Sequence, residues 1–468
     1  MLGKTHLYAV AGLIISSTQL VAQSAGMFVR TGDMTTLRLA ETATLLLDGR
    51  VLIAGGSGGD RRLPVESAEL YDPATGAFTA TGSMNHARAG HASTRLADGR
   101  ILITGGYSGT EAEIFDPSSG IFSTAGNMTS SRSFHAAVLL SDGKVLITGG
   151  HPLDGSAPYL ASAEIFDPES GVFTPAGEMT VPRFDHQTTL LPDRTVLIVP
   201  GSDGADYATS ELYDPRSGAF SSLPFTNSRG YVAATSNLLP NGKVLQTLQS
   251  GECDVNTRFS TLYDALTGTF GAAPQMSAAH CQQASTPLPD GTVLIVGSLN
   301  DGTGPTPTAE VYDIRSGSFS SLGGVLFGRI SPRATLLNNG SVLITGGSTP
   351  AELYVPASPA PALQLLAIGG QPAILHADSQ APVSTDAPAR PGEALEIYFI
   401  GLIEGSVIPP YVAMGGRFAE VLYFGNAPGF PGLNQIDVRV PSNTASENIE
   451  VRVTYLNRSS NSLTIPIR

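Results

Sequence analysis

"LLSDGKVLITGG", residues 139–150, is one of seven versions of the same twelve-residue phrase. The others are "LLLDGRVLIAGG" (45–56), "RLADGRILITGG" (95–106), "LLPDRTVLIVPG" (190–201), "LLPNGKVLQTLQ" (238–249), "PLPDGTVLIVGS" (287–298) and "LLNNGSVLITGG" (336–347). The turn residues Asp48, Asp98, Asp142, Asp193, Asn241, Asp290 and Asn339 are separated by 50, 44, 51, 48, 49 and 49 residues. A period of that length, in a chain with 53 glycines and 33 prolines, predicts small β-units repeated around an axis.

Each unit reads as four strands. Strand a is the run of small residues before the turn, as in "HAAVLL" (135–140). Asp-Gly or Asn-Gly then makes a tight hairpin, because these residues tolerate positive φ. Strand b is β-branched and ends at glycines that let another backbone come close. Strand c is acidic and aromatic: "SAELYDP", "EAEIFDP", "SAEIFDP", "TSELYDP", "FSTLYDA", "TAEVYDI" and "PAELYVP". An Asp-Pro turn leads to strand d, whose phenylalanine follows the strand c aromatic by seven residues, as in Phe166 and Phe173. The seventh unit stops at "AELYVP" (351–356) and has no strand d of its own. The orphan "GMFVRTGDM" (26–34) fits that place: Phe28 supplies the seventh aromatic, and Met34 matches Met84, Met128, Met179 and Met276. The fold expected is all-β, a seven-bladed β-propeller over 26–356 closed by an N-terminal strand.

The diglycine, the acidic-aromatic strand and the aromatic seven residues later resemble the kelch repeat. Two departures stand out. Kelch units usually carry Trp in strand d and this chain has none, and the diglycine is intact in four units only, at Gly55–Gly56, Gly105–Gly106, Gly149–Gly150 and Gly346–Gly347. Beyond "PASPAPA" the pattern ends, and residues 363–468 alternate as short strands. They predict an Ig-like β-sandwich after a Pro/Ala linker at 357–362. The run "LYFGNAPGFPGLNQIDVRVP" (422–441) resembles a C-terminal module of secreted bacterial proteins, which implies no activity. A propeller followed by an Ig-like domain is similar to the copper radical oxidases of the galactose oxidase class. That class needs a Tyr-His pair, further Tyr and His ligands, and a cysteine joined to a ligand tyrosine. No Tyr-His dipeptide occurs here, and His376 is the only histidine after His280. No Gly-x-Ser-x-Gly elbow or His-Glu-x-x-His helix was found either.

Composition bounds the partners. The net charge of −14 and a total of 26 Lys and Arg leave no basic footprint for nucleic acid. Residues 1–25 read as a signal peptide: Lys4, an apolar run from Leu7 to Ile15 too short to span a bilayer, then small residues with cleavage after Ala22 or Ala25. The expected location is secreted, extracellular or periplasmic. Cys253 and Cys281 would then meet an oxidising compartment and form a disulfide.

In an antiparallel blade the b–c loops share one face with the starts of strands a. The b–c loops vary (57–67, 107–111, 151–162, 202–209, 250–259, 299–308), whereas the opposite turns are short and uniform. Variable loops on a rigid frame mark the candidate site. Arg88/His91, Arg132/His135 and Arg183/His186 open three successive strands a. Such a ring can bind carboxylate or sulfate bidentately, or it can tie neighbouring blades together through backbone carbonyls. Three equivalent histidines can also hold a metal, but repetition alone accounts for them. Tyr107, Tyr159 and Tyr207 lie in consecutive b–c loops and can stack on sugar rings. The reading is a non-catalytic binding or scaffold protein for a glycan or protein, an acidic one included, with no cofactor, no metal and no membrane span after signal removal. Its rival is an extracellular carbohydrate-active enzyme on a galactose-oxidase-like propeller without the copper radical site.

Overall fold

The computed structural model describes residues 26–58, 63–153, 159–201, 208–227, 232–249, 258–300, 305–357 and 362–468. Residues 1–25, expected to be a signal peptide, Tyr207, Cys253 and most of the expected linker at 357–362 therefore lie outside the described residues. The chain divides into two compact units, Gly26–Leu337 with Ser341–Pro356, and Ala357–Arg468 with Asn338–Gly340.

The first unit holds seven four-stranded antiparallel sheets. In the third sheet the strands are Ala136–Leu139, Val145–Thr148, Ser162–Asp167 and Val172–Glu178, in spatial order a-b-c-d. The a–b connection is a three-residue loop. Gly143 N–H donates to the Leu140 carbonyl, Leu140 N–H to the Lys144 carbonyl, and the Asp142 carboxylate accepts Lys144 N–H. Only the glycine takes positive φ, 88°, so Asp and Gly do different work in the pair. In the fourth sheet Arg194 adopts that conformation at φ 75°.

The sheet numbered seventh by sequence is completed from the other end of the chain. Met27–Asp33 pairs antiparallel with Pro350–Val355, with Phe28 opposite Tyr354. Their rings lie 5.2 Å apart, against 4.7 Å for Phe166 and Phe173 in the third sheet. Met34 N–H donates to the Thr349 carbonyl as Met128 does to Thr110 and Met179 to Ala161, and all three methionines are buried.

Cores form between sheets, not within them. Leu102 and Ile114 of the second sheet pack on Val145, Ile147 and Phe166 of the third. Leu337 and Leu343 of the seventh pack on Leu45, Val51 and Tyr71 of the first. Each strand a contacts the strand a before and after it, and Thr42–Leu45 of the first sheet also contacts Arg333–Leu336 of the seventh.

In the second unit, two five-stranded sheets are centred on Ala394–Ile400 with Asn434–Arg439, and on Tyr411–Met414 with Asn448–Tyr455. Ile397, Phe399, Ile436 and Val438 face Val412, Met414, Val451 and Val453 in a shared core, as a sandwich requires. Among the described residues no helix is long and apolar enough to cross a membrane.

Candidate functional site

The sequence-singled arginines are spent inside the protein. Arg88, Arg132 and Arg183 are buried, and each forms an ion pair with a strand c glutamate of its own sheet: Glu113 at 2.9 Å, Glu164 at 2.7 Å and Glu211 at 2.5 Å. Arg38–Glu69 and Arg329–Glu352 repeat the pair in the first and seventh sheets, and His280–Glu310 stands for it in the sixth. The glutamate's other oxygen accepts a backbone N–H from the d–a connection, as Glu164 does from Thr129 at 2.7 Å. The side chain thus closes its own sheet. The arginine carbonyl reaches the preceding sheet: Gly56, Gly106 and Gly150 donate N–H to the carbonyls of Arg88, Arg132 and Arg183. The glutamate stands in nearly every strand c phrase, so its recurrence was a usable signal, but nothing local couples it to an arginine about 30 residues away.

The histidines join neighbouring sheets. Nε2 of His91, His135 and His186 bonds the hydroxyls of Thr42, Thr104 and Thr148 at 3.0, 2.8 and 2.8 Å. The preceding glycine is their seat: a Cβ on Gly105 would lie 2.6 Å from His135 Cε1 and 2.2 Å from the Arg132 carbonyl. Burial, then the nearby arginines, pushes His91 and His186 down to about 3 and His135 well below its ordinary value, so all three are neutral. In the first sheet Glu41 takes the histidine's position.

Just before strand a, six sheets place a residue at φ between 45° and 65°: Ala40, Gly90, Phe134, Asp185, Gln282 and Ser331. They form a rim on the b–c face. Gly90 N–H donates to the Ala40 carbonyl, Phe134 to Gly90 and Asp185 to Phe134. Such backbone favours glycine, so Phe134 in this conformation is held by its neighbours. Its ring covers Gly90 and meets Tyr107 edge-on at 6.3 Å. In the next sheet Phe184 stacks on Tyr159 at 4.5 Å, and His151 packs edge-on against both. Tyr107 is 53% exposed, His151 is exposed, and the other three rings are half-buried. The result is an aromatic shelf on the face where Tyr107 and Tyr159 were expected. Phe134, Phe184 and His151 complete it, and sequence reasoning missed them.

No family model matches the sequence, and no curated protein does. Among solved structures the chain is similar to a fungal alcohol oxidase described as having catalytic diversity among the AA5 family, in complex with copper. The identity is 15%, the likeness covers 96% of this chain and 100% of that one, and the TM-score is 0.61. The multi-sheet all-β fold is therefore related to a galactose-oxidase-like fold; at this identity the likeness speaks for fold alone. Copper does not fit the residues present. No group of three His, Cys, Asp or Glu is placed to hold an ion among the described residues, and the three axial histidines are buried with Nε2 engaged.

Proposed function

We propose that the chain is an exported carbohydrate-recognition protein built on a galactose-oxidase-like propeller without the copper radical site. In this reading residues 1–25 are a signal peptide, 26–356 a closed seven-bladed kelch-type propeller, 357–362 a linker and 363–468 an Ig-like module of the kind that ends secreted bacterial proteins. The cyclic packing of strands a and the pairing of Met27–Asp33 with Pro350–Val355 support the closed ring. The location is extracellular or periplasmic.

The aromatic shelf carries the proposal. Five rings from three successive sheets gather on the variable face, and the rim adds the polar residues Asp185, Gln282 and Ser331. A pyranose offers the matching chemistry, an apolar ring face edged by hydroxyls. Aromatic side chains supply area at low entropic cost, and the rim supplies hydrogen-bonding groups. The fold's likeness to an alcohol oxidase favours turnover of the bound carbohydrate, whereas the shelf by itself calls only for binding. Screening the mature protein on a glycan array, and then assaying each bound glycan for new reducing ends or aldehydes, separates the two. Tyr159→Ala is expected to weaken binding about tenfold. Unchanged affinity in both Tyr107→Ala and Tyr159→Ala would remove the shelf from the site.

A further inference from the structure

We propose that Arg333 is the cationic anchor of this face, so that the carbohydrate it selects is an acidic one bearing a uronate carboxylate. The inference rests on the glycan reading above and adds the substrate class. Arg333 opens strand a of the seventh sheet, opposite Thr345 of strand b. The same register position in the other six sheets carries Thr42, Ala92, Ala136, Gln187, Thr235 and Ala284, none of them charged. Its charge is felt by Glu41, His91 and Asp185, which stand at the starts of strands a in the first, second and fourth sheets.

Two contrasts point to a ligand. Arg38, Arg88, Arg132, Arg183 and Arg329 each have a hydrogen-bonded glutamate. Arg333 has none among the described residues; its Nε donates to the Glu41 backbone carbonyl at 2.8 Å, and it is half-buried. The rim also changes character beside it. From the first to the fourth sheet backbone bonds backbone, but Gln282 N–H donates to Gln249 Oε1, and Ser331 N–H to Gln282 Oε1, each at 3.1 Å. Glutamine side chains thus stand between neighbouring backbones on this side of the rim. The carboxyl nearest its Nε does not take the ligand's place: Glu41 is fully buried, and burial works against its ionisation. A half-buried guanidinium with free fork donors suits a carboxylate accepted through two N–H groups.

The test uses the mature protein with oligomers of galacturonate, mannuronate and glucuronate, each beside its methyl ester, by calorimetry. The acids should bind at least about tenfold more tightly than the esters. Arg333→Gln should abolish that preference while leaving ester affinity unchanged, Arg333→Lys should retain part of it, and Tyr159→Ala should weaken acid and ester alike. Melting curves of the variants confirm that they fold. Equal binding of acid and ester, or a preference that survives Arg333→Gln, would overturn the anchor and leave glycan recognition standing. Binding of none of the six would overturn both.

Discussion

At the residue scale, one position around the ring is occupied by groups that titrate in opposite senses. His91, His135 and His186 are buried as neutral rings, each with a threonine hydroxyl on Nε2. Their folded pKa values lie below the unfolded value of 6.5, so their stabilisation is present above pH 6.5 and is lost as pH falls toward about 3. Glu41 sits in the equivalent place at the seventh-to-first junction, fully buried, with neither carboxylate oxygen hydrogen-bonded. Burial raises its folded pKa above 4.5, against the pull of Arg333, Arg38 and Arg329. Its stabilisation is therefore present below pH 4.5 and is lost as pH rises through the folded value. Thr345, the counterpart of Thr104 and Thr148, has a buried hydroxyl without a partner. Glu41→Gln supplies an amide in place of the acid and is expected to raise stability by about 1–2 kcal/mol at pH 8 and by little at pH 4. His186→Gln should do the reverse, flattening the acid side of the stability curve. Urea midpoints across pH 4–8 check both, and identical pH profiles for the two variants would refute the assignment.

At the element scale, the strand Met27–Asp33 is the piece whose loss has the clearest consequence. It covers the edge of Pro350–Val355 and buries Phe28 and Met34 in two different inter-sheet cores. A chain beginning at Thr36 leaves that edge unpaired, which invites aggregation. Phe28→Ala is the milder test. It empties a site packed on Tyr354 and should cost about 3–5 kcal/mol, read as a lower urea midpoint. An unchanged midpoint would mean that the strand does not close the ring. The element also shows why the diglycine is kept at some junctions and not others. Gly55, Gly105 and Gly149 each receive an arginine carbonyl and a histidine ring from the following sheet. Gly346–Gly347 is kept before Arg38 and Glu41, and the diglycine is gone after Pro200–Gly201 and Gln249, where the following strand a lacks the Arg-x-x-His pair.

At the scale of the whole molecule, the seven four-stranded sheets are regular in the cores between them and irregular on the b–c side. Sheets one to four share the backbone rim, and the second to fourth also the histidines and the aromatic shelf, whereas the sixth and seventh have the glutamine contacts and Arg333. Thr261 stands in the fifth sheet where the strand c glutamate stands in the others. In the sequence Cys253 falls between strands b and c of the fifth unit, and Cys281 opens Cys281–Pro287 of the sixth. If the chain is exported as proposed, a bridge between them would stabilise it by about 3 kcal/mol in the chain-entropy account. Peptide mapping without reductant should recover the joined pair; two free thiols in protein produced through an oxidising compartment would exclude it.

The sequence by itself determined the number of units, their strand order and the partner of the orphan strand. Those features are written in short-range chemistry: a glycine that accepts positive φ after an aspartate, an alternation that faces one side of a sheet, an aromatic at fixed distance from its mate. Such signals need only a few neighbouring residues to be read. Tyr107 and Tyr159 were legible as loop residues on the variable face for the same reason. The tertiary structure alone decided what the arginines do, because Arg132 and Glu164 are joined by burial and not by adjacency. It also decided that Phe134 and Phe184 belong to the shelf, since their places are set at the rim, where one sheet's backbone hydrogen-bonds the next. A periodic residue announces its position in the repeat; its role depends on what the neighbouring sheet presents to it, and that is fixed only when the sheets pack.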